Sequence, residues 1–68
     1  MEAFLKVNGK FMTLKMNGCW GYAHNMNFAY TFQSVHDAKR FAPVVCRIIG
    51  TTLEAAEITD TKGNTLTA

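Results

Sequence analysis

Hydrophobic and polar positions alternate from the start of the chain. In "AFLKVNGKFMTL", residues 3–14, two strand-like runs flank Asn8-Gly9. That pair suits a type I′ turn, because both central positions need positive φ. A two-residue turn pairs Val7 with Lys10, Leu5 with Met12 and Ala3 with Leu14, which then share one face. Phe4, Lys6, Phe11, Thr13 and Lys15 fall on the other.

A second Asn-Gly, Asn17-Gly18, opens "NGCWGYAHN", whose glycines and asparagines predict a loop carrying Trp20 and Tyr22. In "NMNFAYTF", Met26, Phe28, Tyr30 and Phe32 alternate with Asn25, Asn27, Ala29 and Thr31. That period of two predicts a third strand.

The periodicity then changes. Val35, Ala38, Phe41, Ala42, Val45, Ile48 and Ile49 recur at helical spacing. Ser34 is a good N-cap, with Asp37 at the third helical position as in a capping box. Gly50 is a natural residue to end the helix, and Arg47 suits the negative end of its dipole. After it, "TTLEAAEITD" predicts a last strand with Ala56 and Ile58 inward and Glu57 and Thr59 outward. "TKGN" then turns the chain into a short tail.

Pro43, the chain's one proline, leaves two readings of this stretch. An interior proline removes a hydrogen bond and clashes with the preceding turn, at about 3 kcal/mol. The β-branched residues of "PVVCRII" also suit a strand, but one that puts Arg47 on the same face as Val45 and Ile49. On a helical wheel Pro43 falls on the polar side with His36, Arg40 and Arg47, where a bend around a core belongs. The favoured reading is one helix bent at Pro43. The expected fold is thus α+β: a four-stranded, mostly antiparallel sheet in the order β-hairpin, strand, helix, strand, with the helix on one face.

Composition agrees with a single folded domain over residues 1–68. Hydrophobic residues make up 49% and charged residues 18%, which argues against disorder. The formal net charge is +2, unevenly spread. Residues 1–50 hold six Lys/Arg against Glu2 and Asp37, and residues 51–68 hold Lys62 against Glu54, Glu57 and Asp60. This balance argues against an acidic mimic of nucleic acid, allows a mildly basic face, and is far from that of a strongly basic DNA binder. Two cysteines are too few for a disulfide framework, the chain opens on strand-like sequence without a signal-peptide pattern, and its apolar runs are too short to span a membrane. A cytoplasmic setting with free thiols and no membrane association is expected.

Three sets of residues are candidates for contact. On the outer sheet face, Phe4 and Phe11 lie beside Lys6 and Lys15, the chemistry of sheets that stack bases and meet phosphates. The same residues also read as a protein interface, or as a face covered by the 17–25 loop or a second subunit. On the helix, His36, Arg40 and Arg47 lie in a narrow arc with Lys39 at its edge: a solvated face, or an acidic-partner site. Trp20 and Tyr22 are either interface anchors or a cap on a small core.

Cys19, His24, His36 and Cys46 have donor chemistry for zinc but no metal-binding spacing. No metal or cofactor is expected. The domain also has little volume for a catalytic cleft, and it is read as no enzyme.

The run from Phe28 to Asp60 resembles part of certain small anti-CRISPR proteins of phages and mobile elements, inhibitors of type I CRISPR surveillance complexes. In these a strand leads into a Ser-started helix containing AKR-x-A, followed by a strand with an acidic residue and a turn. The matching residues here are Ser34, Ala38, Lys39, Arg40 and Ala42, then Glu57-Ile58. The Asn8-Gly9 hairpin and Pro43 depart from that pattern.

The resemblance implies a single-domain blocker that binds a host protein or ribonucleoprotein complex in a bacterial cytoplasm, with Lys39 and Arg40 as contacts. The expected function is therefore steric inhibition by binding. The alternative is a small nucleic-acid-binding module using the aromatic and basic sheet face. A third reading is a structural homo-oligomer, so both monomer and homodimer stay open.

Overall fold

The computed structural model describes residues 1–66. Two strands, β1 (Phe4–Val7) and β2 (Lys10–Leu14), form the expected hairpin, with Val7 opposite Lys10 and Lys6 opposite Phe11. Asn8 at φ 55° and Gly9 at φ 78° take the two left-handed turn positions, as a type I′ turn requires.

The chain continues through β3 (Trp20–Tyr22), helix α1 (Val35–Ile49), β4 (Ala56–Thr59) and β5 (Thr65–Leu66). Among the described residues the sheet has five strands in the order β3-β2-β1-β4-β5, every pair antiparallel. The α+β class, the single helix and the antiparallel sheet agree with the sequence.

The strand count and two strand positions do not. The third strand is Trp20–Tyr22, inside the stretch expected to be a loop, where it pairs with β2 from Met12↔Tyr22 to Leu14↔Trp20. The expected strand at residues 25–32 is broken by its own asparagine. Asn25 accepts a hydrogen bond from the Asn27 N–H at 2.8 Å and caps a 3-10 turn over Met26–Phe28, the local competition that makes asparagine a turn residue.

Only the end of that segment joins the sheet. The Tyr30 N–H donates to the Met12 carbonyl, and Phe32 exchanges both backbone hydrogen bonds with Ala3. Ala3 therefore pairs with Phe32 and not with Leu14. The fifth strand comes from the expected tail, where Ile58↔Leu66 and Thr59↔Thr65 pair. The rest of that tail, residues 67 and 68, lies outside the described residues.

Helix α1 runs unbroken through Pro43, so the strand reading of "PVVCRII" is replaced. Ser34 Oγ accepts from the Asp37 N–H at 3.1 Å, and Gly50 ends the helix at φ 91° with its N–H on the Cys46 carbonyl. Pro43 stands on the exposed side, and its ring nitrogen has no hydrogen for the Lys39 carbonyl one turn earlier.

The helix buries Ala38, Ala42, Val45 and Cys46 against Ala3, Leu5, Val7, Met12, Phe32 and Ile58. Burial pushes the Cys46 thiol pKa up, because the thiolate would lose solvation there. Cys19 is exposed and both cysteines are free.

The second face of the sheet is closed differently. Phe4 is 8% exposed and Thr59 is fully buried, although strand alternation points both away from the helix. Thr59 points outward from the helix as expected, yet it is buried. The connection leaving the β3 edge carries Met26 to the β4–β5 turn, its Sδ 3.5 Å from where a Cβ on Gly63 would stand. No helix among the described residues is long and apolar enough to cross a membrane.

Candidate protein interface on the helix

The solvent side of α1 differs from the sequence-based expectation in one respect. Phe41 and Ile48 belong to the predicted apolar stripe, yet they are 45% and 47% exposed, and Val44 beside them is 45% exposed. With 3.6 residues per turn, positions 41, 44 and 48 form a row along one flank of the helix. The sheet beneath is only wide enough to cover the arc from Val35 to Ile49 through Ala38, Ala42 and Val45. Three large apolar side chains are therefore left as a ridge.

Next round the helix come Arg40 and Arg47, then His36 and Pro43, then Lys39, all exposed. The four basic-arc residues singled out in the sequence are thus brought together, and the ridge borders their arc. On the far flank a cavity of about 250 Å³ lies between α1 and β4, lined by Ala42, Leu53, Ala56, Ile58 and Lys39. Leu53 at its mouth is 55% exposed.

At its near edge the ridge continues into an aromatic cluster. Phe41 packs 5.7 Å from Phe32, and Trp20 stacks on Phe32 at 5.8 Å with the rings 12° apart. Tyr30 meets Trp20 edge-on at 5.2 Å and remains 40% exposed. Trp20 is half-buried against the core, which is the capping role foreseen as one of its two readings. It reaches that place from a strand, since Leu14↔Trp20 is a cross-strand pair.

The remaining candidates gather elsewhere. Phe4 is buried and offers no stacking surface, contrary to the exposed sheet face considered from sequence. Phe11 is half-buried, touched edge-on by Phe4 at 5.8 Å, with the Lys6 ammonium 5.2 Å from its ring centre. Lys6 also faces Glu57 across the strands, which offsets its charge. The Lys15 side chain lies over Gly21, in the space a Cβ would take. Tyr22 receives a hydrogen bond from Asn8 at 3.0 Å and carries the Lys10 ammonium 5.3 Å from its ring centre.

Phe11, Lys15 and Tyr22 all line a single groove with Lys10 and His24 beside the hairpin tip. Sequence reasoning missed Lys10, Asn8 and His24 as its neighbours, because only the pairing of β3 with β2 brings them together. It also missed Val44. The readable signal was an apolar arc too broad for a helix with one buried side.

Cys19, His24, His36 and Cys46 do not converge, and among the described residues no three side chains of the metal-binding kind come together. Comparison of the chain with protein-family models, with curated proteins and with solved structures gives no match.

Proposed function

We propose that the protein works by binding another macromolecule through the solvent side of α1, without chemistry of its own. What carries this reading is the ridge of Phe41, Val44 and Ile48, bordered by Arg40 and Arg47. A helix that merely faces water keeps its outer side polar, and contiguous exposed apolar surface marks interaction sites. Aromatic and arginine side chains side by side are the composition of interface cores.

Charge selects the occupant. The helix holds Lys39, Arg40 and Arg47 against Asp37. A second copy docked through the same face would bring like charges together, as a two-fold contact repeats the same patch on both sides. A protein with an apolar stripe edged by carboxylates gains on both counts. The cavity beside Lys39 has room for one inserted side chain. Read with the resemblance over Ser34 to Ala42, the partner is a type I CRISPR surveillance complex, blocked sterically by a phage or mobile-element protein.

Binding to purified type I surveillance complex tests that form directly. Ile48→Asp and Arg40→Glu should each weaken it by about tenfold or more, while Glu54→Gln, away from the ridge, leaves it unchanged. A complex that never retains the wild-type chain would end the CRISPR form of the proposal. For the broader reading, a photo-cross-linker at position 44 should trap an acidic protein partner in cells. Equal trapping by the Arg40→Glu variant would end that too.

A further inference from the structure

β3 ends the sheet on one side, and among the described residues its one neighbouring strand is β2. The Lys15 N–H donates to the Cys19 carbonyl and the Ala23 N–H to the Phe11 carbonyl, so residues 19, 21 and 23 are the ones that bond to β2. In an antiparallel ladder the residues between them turn their N–H and C=O groups the other way. Trp20 and Tyr22 therefore present two donors and two acceptors along the open edge, with no backbone partner among the described residues. An unpaired strand edge is a template for a further strand.

Cover for α1 runs out at the same edge. The Phe41 ring lies 6.5 Å from that of Trp20, whereas the opposite flank of the helix stands over β4. The ridge of Phe41, Val44 and Ile48 thus overhangs the β3 side. One more strand would sit about 4.8 Å beyond β3. Its helix-side residues would lie next to Trp20 and Tyr22 and fill the space under the ridge. The exposed apolar row and the unpaired edge then have one explanation: the sheet is a strand too narrow for its helix.

The other face of β3 sets the chemistry of the occupant. Gly21 points there, and the Lys15 side chain lies across it in the space a Cβ would take. Between Glu2 and Asp37 the chain has no acidic residue, so neither β2 nor β3 supplies a carboxylate to Lys15. A residue set beside Gly21 on an added strand is within its reach, and opposite charges on neighbouring strands attract. A second copy paired through β3 about a two-fold axis would instead bring Lys15 against Lys15.

We propose that β3 accepts an extended segment of a partner protein as a sixth strand of the sheet, with apolar side chains beneath the ridge and a carboxylate between them on Lys15. The proposal rests on the reading of α1 as an interface and adds how the partner is held. Main-chain hydrogen bonds supply affinity, and the alternation apolar–acidic–apolar supplies selectivity.

NMR titration of the intact chain with the capped peptide Thr-Val-Glu-Val-Thr tests it. Signals of Trp20, Tyr22 and Phe41 should shift saturably, and the Trp20 and Tyr22 amides should exchange more slowly with solvent. Val44→Asp should weaken binding by about tenfold. Lysine in place of the peptide's glutamate, or Lys15→Glu in the protein, should each weaken it by about fivefold, and the two changes together should restore it. Val44 and Lys15 are exposed, so both variants fold, as circular dichroism would verify.

Strand addition is overturned if the peptide shifts none of these signals at millimolar concentration. It is also overturned if the ridge signals shift while the two amides exchange as fast as before, a result that leaves the α1 reading standing. Protected amides in a Val44→Asp variant that binds like wild type would end the ridge's part and count against α1 as well. Equal binding of the glutamate and lysine peptides would remove Lys15 from the site and overturn the acidic occupant. Protection that appears without peptide as protein concentration rises would make the occupant a second copy, and would overturn the proposal of a foreign strand.

Discussion

The two faces of the sheet are made by the same strands and are kept dry by different means. On one, Ala3, Leu5, Val7, Met12 and Ile58 meet the buried side of α1, a long element with a side-chain cap at its start and a left-handed glycine at its end. On the other, Phe4 and Thr59 are buried although they face away from the helix, and the irregular connection after β3 brings Met26 against the β4–β5 turn. The first face buries aliphatic side chains together with Phe32, edged by Trp20. The second pairs an aromatic residue with a threonine. A chain of 68 residues sits near the lower limit for a self-stabilised core, and it uses both sides of one sheet to get there.

The largest test of that comparison is a truncation on each face. Leu5→Ala should cost about 2–5 kcal/mol, the usual range for emptying a fully buried leucine site. Small cores rarely supply more than about 3–5 kcal/mol in total, so this variant should be mostly unfolded at room temperature. Phe4→Ala should cost about 3 kcal/mol if the second face is a true interior. Urea denaturation of both variants measures the difference. A loss for Phe4→Ala below about 0.5 kcal/mol, the scale of surface substitutions, would mean that Phe4 is shielded without contributing to stability.

A smaller effect probes how well the second face is built. Thr59 Oγ1 is buried without a hydrogen-bond partner among the described residues. A desolvated hydroxyl of this kind costs about 1–3 kcal/mol. Thr59→Val keeps the branched shape suited to a strand and removes the hydroxyl, so the midpoint of urea unfolding should rise, by about 1 kcal/mol of stability. A fall of that size would show that the hydroxyl has a partner in solution, such as a trapped water. No comparable gain is open on the helix-covered face, where the buried core is wholly apolar.

The helix-covered face is also the one the sequence makes legible. Asn8-Gly9 and the alternation around it place Ala3, Leu5, Val7 and Met12 on one side, while Ser34 and Gly50 delimit α1 to the residue. These are local signals, in which each turn or cap is satisfied by neighbours in the chain.

The cover of the second face is not local. Trp20–Tyr22 reads as a loop because Gly21 lies between aromatics and asparagines flank it, and only pairing with β2 makes it a strand. Two residues, Thr65 and Leu66, are too few to show any period. For Met26 to Phe32 the alternation was real, but the Asn25 cap overrode it until Tyr30. The candidate interface was half legible for a related reason. The basic arc on α1 is visible in sequence, whereas the apolar ridge beside it depends on how little of the helix a small sheet can cover.

The smallest effect concerns the turn against which Met26 rests. Asp60 accepts hydrogen bonds from the backbone N–H groups of Asn64 and Lys62, each at 2.9 Å, and from the Asn64 side chain at 3.3 Å. These bonds, the Asn64 backbone N–H foremost, hold its carboxyl pKa below the usual aspartate value, against a weaker opposing effect of burial. A carboxylate depressed in the folded state stabilises the fold above its ordinary pKa, and that contribution is lost as pH falls through the lower folded value. Stability should therefore decline in mild acid, partly through this turn.

Asp60→Asn keeps an acceptor for the two backbone N–H groups but does not titrate. Its urea midpoint should lie slightly below that of wild type at neutral pH, and the two should converge in acid. If the turn supports the second face, the Phe4 side-chain signals in NMR spectra should shift over the same acidic window in wild type and stay fixed in the variant. Signals from Leu5, on the helix-covered face, should not move in either. Equal movement on both faces would instead mean that acid loosens the domain as one unit, and that the two faces are closed differently without being stabilised separately.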